Sequence, residues 1–271
     1  METWRLIIHK KQNGAWNMAV DEALLESTAK KNSPPALRLY DWEPYTLSLG
    51  YAQAVRDVNI NALNRFQWGL VRRPTGGKAI LHADELTYSV TAPDDNEIMS
   101  GSVVESYQRL SIALLQSLEK IGISADSKPK DEKLLTSQTS SICFQHPSDY
   151  EITYNNKKLI GSAQARKKGG VLQHGAVPLF GNITRIIDVL MYPDDQEKES
   201  ALSRLLDRAT TIENILNKNI SWNDMSAAMQ YGFEKALQIT FVQADLTEFE
   251  VIRSKEIYEE KYSNEKWTNR I

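Results

Sequence analysis

Two side chains in this 271-residue chain have the makings of covalent chemistry: Cys143, its one cysteine, and Lys158, a short stretch further on. A thiol hardly attacks an acyl donor, but a thiolate does. An ammonium folded back toward the sulfur favours the thiolate. Plainer readings stand beside this one. A free cysteine is commonly a small buried hydrophobe, and Lys158, next to Lys157, reads equally as a solvent-facing charge after a turn. Strand alternation puts the two lysines on opposite faces without saying which points inward.

A second set of residues suits ligand binding. Arg72-Arg73-Pro74-Thr75-Gly76-Gly77-Lys78 sets paired glycines between two apolar runs, where the backbone can approach a ligand and present amide donors. Ala79 follows Lys78, so the spacing is not that of a Walker loop. Taken alone, the segment is also an ordinary tight turn with two solvated arginines. Gly161-Ser162-Ala163 and His174-Gly175-Ala176 are small-residue patches, suited to a slot for an alkyl tail or simply to tight strand packing. His82 and His174 are candidate general bases, or satisfied structural donors. Together with His9 and His146 they show no zinc-ligand spacing, and a lone cysteine forms no internal disulfide.

These residues need a scaffold, and the pattern supplies one. Asn17 is placed to cap a first helix carrying Met18, Leu24 and Leu25, with Asp21 and Glu22 near its positive end, expected as a surface helix on a sheet. Short β-type runs follow at Ala36 to Tyr40, Thr46 to Tyr51, Gly69 to Arg72, Ala79 to His82 and Leu86 to Val90, spaced for antiparallel or mixed pairing. Ser102 and Glu105 form a capping box for a helix striped by Tyr107, Leu110, Leu114, Leu115 and Leu118 and ended by Gly122. Residues 126 to 142 are polar and read as a mobile loop leading to Cys143. Tyr150 to Tyr154, an Asn155-Asn156 turn and Lys158 to Ala163 read as a hairpin, with a further strand near Val171 to Leu179. The last third is helical: Asn223 or Ser221 caps a run through Met225, Met229, Phe233 and Leu237, and Thr247 with Glu250 boxes a charged last helix.

Composition narrows the function classes. A chain 41% hydrophobic and 25% charged can bury one large core, so a single catalytic domain over 1–271 is expected, with its core at about 14–245 and a charged helix over 246–271. The net charge of -3 gives no general attraction to nucleic acid or to an anionic membrane surface. The apolar run Leu6 to Ile8 is too brief for a signal core or a membrane span, so a cytoplasmic location is expected.

Asn17-Met18-Ala19-Val20-Asp21-Glu22-Ala23-Leu24, Arg72-Arg73-Pro74-Thr75-Gly76-Gly77, Lys158-Leu159-Ile160-Gly161-Ser162-Ala163 and Leu172-Gln173-His174-Gly175 resemble, in that order, motifs of the lipoate and biotin protein ligase superfamily. Leu37-Arg38-Leu39-Tyr40-Asp41-Trp42-Glu43-Pro44 and Thr46-Leu47-Ser48-Leu49-Gly50 resemble its early strands. ATP-dependent ligases typically carry a third glycine and an Asp-x-Gly-Asn segment, where this chain has Lys78 and Ala83-Asp84-Glu85-Leu86. Leu86-Thr87-Tyr88-Ser89-Val90, Ile142-Cys143-Phe144 and Gly161-Ser162-Ala163-Gln164 instead resemble the cysteine-dependent octanoyltransferases of the LipM type. One departure is Ala83, where such enzymes usually have Asp.

The resemblance implies an α+β catalytic domain, a mixed, largely antiparallel sheet flanked by helices, acting as a monomer. It further implies that Cys143 and Lys158 are catalytic, the cysteine accepting an octanoyl group from octanoyl-acyl carrier protein and passing it to a lysine of a lipoyl domain or of the glycine cleavage H protein. Thioester energy is already stored, so neither ATP nor metal is needed. Backbone amides at Gly76 and Gly77 are expected to hold an oxyanion. The alkyl tail is expected near Gly161, Ser162, Ala163 and Gly175, beside His82 and His174. Arg73 or Lys78 is expected to dock an acidic carrier by surface charge. An ATP-dependent lipoate ligase and a non-catalytic lipoyl-carrier-binding module are the alternatives.

Overall fold

The computed structural model describes residues 1–129 and 150–271. Cys143 and residues 130–142 of the polar stretch leading to it lie outside them. In chain order the elements are β1 (Glu2–Ile8), α1 (Gly14–Ala29), β2 (Ala36–Tyr40), β3 (Thr46–Leu49), α2 (Ile60–Phe66), β4 (Gly69–Arg72), β5 (Ile80–His82), β6 (Glu85–Pro93), α3 (Val103–Lys120), β7 (Asp126–Pro129), β8 (Tyr150–Tyr154), β9 (Lys157–Lys167), β10 (Gly170–Pro178), α4 (Asp195–Arg208), α5 (Ile212–Leu216), α6 (Trp222–Leu237), β11 (Ile239–Gln243), α7 (Glu248–Ile257) and α8 (Glu265–Thr268). Eight strands form one sheet in the order β11-β1-β2-β6-β10-β9-β8-β7. β1 runs parallel to β11 and β2, and every other pairing in this sheet is antiparallel. β4, β3 and β5 form a small second sheet. The α+β class and the mixed, largely antiparallel sheet are as the sequence led us to expect.

Strand alternation divides the large sheet into two different faces. In β6, Leu86, Tyr88, Val90 and Ala92 join the main core, where they meet Leu110, Leu114 and Leu118 of α3 and Met225, Met229 and Phe233 of α6. Each such fully buried side chain contributes about 1.5–3 kcal/mol. The intervening Thr87 and Ser89 turn to the opposite face, where they bond Trp42 and Asp21. That face is covered by α1. The helix against the core starts on the expected capping box, with Glu105 N donating to Ser102 Oγ and Ser102 N to Glu105 Oε2.

Three elements differ from expectation: α1, the C-terminal helix and the loop after α3. Asn13, not Asn17, caps α1, accepting from Trp16 N at 2.8 Å, because Asn17 is buried one turn into the helix. Nor is α1 a surface helix. α7 and the residues after it cover its outer face, where Glu22 accepts from Lys261 and Tyr262 and Glu26 pairs with Arg253. Of the two cap candidates for α6, Ser221 and Asn223, it is Ser221 that caps the helix, accepting from Asp224 N. The charged C-terminal helix begins with the expected Thr247–Glu250 box but breaks into α7, a π-helical turn at Tyr258–Tyr262 and α8. Of the loop expected over 126–142, Asp126–Pro129 instead pairs with β8 as an edge strand. No helix among the described residues is long and apolar enough to cross a membrane.

Candidate active site

On the α1 face of the sheet, charge is buried and fully engaged. Arg38 and Asp21 are both 0% exposed. Arg38 Nη1 meets Asp21 Oδ1 at 2.8 Å, Nη2 donates to Asn17 Oδ1 at 2.7 Å, and Nε donates to His9 Nδ1 at 2.9 Å. Tyr40 and Ser89 hydroxyls also donate to Asp21, at 2.9 and 2.8 Å. Burial pushes the Asp21 carboxyl up, but the Arg38 charge and the His174 contact outweigh it and hold the group below its ordinary range. Burial pulls His174 down in spite of Asp21, so its imidazole is neutral near pH 7.

His174 carries this network to the glycine loop. Its Nδ1 lies 3.3 Å from Asp21 Oδ2 and its Nε2 2.6 Å from Thr75 Oγ1. An ionised carboxylate only accepts, so Nδ1 holds the proton and Nε2 accepts from the threonine hydroxyl. The loop is also held from below. Arg73 donates to Ser48 O at 3.0 Å, Gly76 O at 2.7 Å and Lys78 O at 2.8 Å. Arg72 donates to Thr268 O, Gly50 O and Gln53 O. Tyr51 N donates to Thr75 O at 2.8 Å. Gly77 adopts φ +89°, and a Cβ on Gly50 would stand 1.8 Å from Gly77 O, so this close crossing requires glycine.

Neither arginine is solvated, since Arg72 is 0% and Arg73 3% exposed. This corrects the expectation that Arg73 docks a carrier by surface charge. Its guanidinium shapes the loop and lines the cavity beneath. Lys78 is half-buried, and Gly76 and Gly77 are exposed.

Beneath the loop lies a narrow slot. One wall is the β9–β10 ladder, with Gly161 opposite Ala176, Ser162 opposite Gly175 and Ala163 opposite His174. The missing side chain of Gly161 leaves room on this face, while the position of Gly175 is set from the other face, where a Cβ would stand 2.6 Å from Tyr88 Cε1 in the main core. Facing it, Trp42 stacks on His82 at 3.9 Å between ring centroids and donates through Nε1 to Thr87 Oγ1 at 2.7 Å. His82 Nε2 contacts Ser48 Oγ at 2.8 Å and Nδ1 contacts Glu85 Oε1 at 2.7 Å. Arg73, His82, Gly161, Ser162, Ala163, His174 and Gly175 all line this one slot, whereas Gly76 and Gly77 stand outside it.

Lys158 points inward: it is 2% exposed, and its Nζ donates to Glu151 Oε1 at 2.7 Å. Lys157 turns outward and donates to Leu206 O. Lys158 sits on β9, the strand that also carries Gly161, Ser162 and Ala163. Among the described residues, no cluster of three or more His, Cys, Asp or Glu side chains is arranged to hold a metal ion.

Sequence reasoning missed Trp42, Tyr40 and Met18 as lining residues, and Thr75 and Asp21 as the partners of His174. A signal was present. Arg38, Thr87 and Ser89 interrupt otherwise apolar strands at period two, the mark of a second face built around a polar network.

Comparison with known proteins agrees with this geometry. Residues 13–234 match the model of the lipoyl protein ligase A/B catalytic domain. The octanoyltransferase LipM of Halalkalibacterium halodurans is 37% identical, with all of both chains aligned. That of Bacillus subtilis (strain 168) is 35% identical over 98% of each chain. Among solved structures, a bi-partite lipoate protein ligase from Thermoplasma acidophilum superposes with a TM-score of 0.82 at 24% identity, covering 99% of this chain and 97% of that one. A lipoate-protein ligase A bound with ATP gives 0.80 at 25% identity over 99% of each. The chain belongs to the lipoyl protein ligase A/B catalytic-domain family, among the octanoyltransferases of the LipM type.

Proposed function

We propose that this protein is an acyltransferase that moves an octanoyl group from octanoyl-acyl carrier protein, through a thioester on Cys143, to a lysine of a lipoyl domain or of the glycine cleavage H protein. The observation that carries the reading is a narrow slot walled by Gly161, Ser162, Ala163 and Gly175 and lying along the same strand as the buried ammonium of Lys158. Its full-length relatives are named octanoyltransferases.

In the first step the Cys143 thiolate attacks the donor carbonyl, the bond to the carrier sulfur breaks, and the departing thiolate takes up a proton. In the second, the acceptor amine attacks the enzyme thioester, Cys143 leaves as thiolate, and the amine loses its proton as the amide forms. Lys158 favours the thiolate at both stages. The exposed amides of Gly76 and Gly77 stabilise the developing oxyanion, and the hydrogen bonds of Arg73 hold them in place. The octanoyl tail lies between Trp42 and the small residues of β9 and β10. The enzyme works as a cytoplasmic monomer without ATP.

The test is to incubate the protein with octanoyl-acyl carrier protein and an unmodified lipoyl domain, without nucleotide, and weigh the domain. An octanoylated lysine is expected. Modification only with free lipoate and ATP would make the protein a ligase, and tight carrier binding without transfer would make it a binding module.

A further inference from the structure

A second cavity opens on the other side of Glu85. It has apolar walls that include Leu81, Ala83, Phe180 and Ile186, with Asn182, Arg185 and Thr210 set among them. Toward solvent it merges with a cleft that shares Asn182, Ile183, Ala209 and Thr210 and reaches Lys157. Inward it ends on Glu85, whose carboxylate meets His82 Nδ1 and accepts from Thr87 Oγ1. Both of those partners line the acyl slot, so the two cavities share one polar wall.

β9 runs past all three spaces in order. Lys157 borders the outer cleft, Lys158 O accepts from Thr210 N at 3.1 Å beside the middle cavity, and Gly161 to Ala163 border the slot. At about 3.3 Å per residue the strand covers ~13 Å between Lys157 and Gly161, a distance to be crossed by a thin chain and not by a folded surface.

We propose that the middle cavity and outer cleft bind the pantetheine arm of the acyl donor, a linear thiol-bearing chain with two amides and a terminal phosphate. This rests on the acyl-transfer reading above. The walls match that chemistry. Apolar surface suits the methylene runs, Asn182 and Thr210 set polar groups in the wall that amides can meet, and Lys157 brings a positive charge to the mouth that suits a phosphate, whereas Arg185 is paired with Asp84. The acceptor's lysine side chain is a poorer occupant, because its ammonium would pass that of Lys157 and it has no amide for the polar groups. Ala83 keeps its part of the wall small and apolar, and a carboxylate at this position would add to that of Glu85 and oppose the phosphate-bearing arm.

The experiment is to measure kcat/KM for octanoyl thioesters of N-acetylcysteamine, pantetheine and phosphopantetheine, with the wild-type protein and with Ala83→Trp. We expect at least a tenfold rise along the wild-type series, carried mainly by KM. Ala83→Trp should flatten the series, with the phosphopantetheine donor losing most. A wild-type series that is already flat, or a variant that lowers all three donors by one common factor, overturns the arm site and leaves acyl transfer standing. No octanoylation from any donor overturns both.

Discussion

His174 Nε2 and Thr75 Oγ1 stand 2.6 Å apart, joining strand β10 to the residue immediately before the glycine pair. The same imidazole reaches Asp21 on α1 through Nδ1, so one ring links helix, sheet and loop. Thr75→Val keeps the shape and removes the donor, leaving a buried ring nitrogen unsatisfied. Urea unfolding should show a loss of about 1–3 kcal/mol. Octanoyl transfer should fall as well, because the loop loses its anchor to the sheet.

Asp21 holds Arg38 in place with no solvent to share the charge. Asp21→Asn leaves that guanidinium uncompensated, and removing one partner of a buried pair costs about 3–5 kcal/mol. Chemical denaturation should register a drop of that size, well beyond the effect of a surface acid such as Asp95→Asn, whose partner Lys31 is exposed.

Stability should fall on mild acidification. Burial and the Arg38 charge pull His9 down to about 4, and burial lowers His174 too. Between the ordinary histidine value near 6.5 and these depressed values, the unfolded chain binds more protons than the folded one. This part of the stability is therefore present above pH ~6.5 and is lost as pH falls toward 4. His9 accounts for about 2 kcal/mol once screening at its partly exposed edge is allowed for. Thermal unfolding followed from pH 7 to pH 4.5 should show the decline, and His9→Gln should make it shallower.

Much of this was legible in the sequence. The Ser102 and Thr247 capping boxes, the strands at Ala36–Tyr40 and Gly69–Arg72, and the small-residue patches on β9 and β10 follow from local rules that tertiary contacts leave intact. The burial of Arg72 and Arg73 was not legible. Their partners are carbonyls of Gly50, Gln53, Gly76 and Thr268, and no side-chain pattern marks which backbone oxygens will converge. The direction of Lys158 was open for the same reason, since alternation gives opposite faces and only Glu151 says which of them is inside. The cover over α1 comes from residues more than 200 positions away, such as Arg253 and Lys261, beyond the range of any local signal.

Gly50→Ala puts a methyl against the Gly77 carbonyl, where only 1.8 Å is open to its carbon. The glycine loop must move. Overpacking of this kind costs about 1–3 kcal/mol, and a displaced oxyanion site should slow transfer by at least about tenfold. The check is kcat for octanoylation measured at a temperature where circular dichroism shows the variant folded.

Lys158→Met should slow acylation of the enzyme near neutral pH, with the rate recovering as pH approaches the ordinary thiol value of about 8.5. Stopped-time mass analysis across pH 6.5–9 reads this directly. A deficit that stayed constant across that range would assign Lys158 to carbonyl polarisation instead.

The most direct measurement is the intact mass of the enzyme itself, mixed with octanoyl-acyl carrier protein and no acceptor. One octanoyl group should appear on the wild type, disappear with hydroxylamine, transfer to a lipoyl domain added afterwards, and fail to form on Cys143→Ala. An adduct that survives hydroxylamine, or that forms equally on Cys143→Ala, would contradict a cysteine thioester as the carrier of the acyl group.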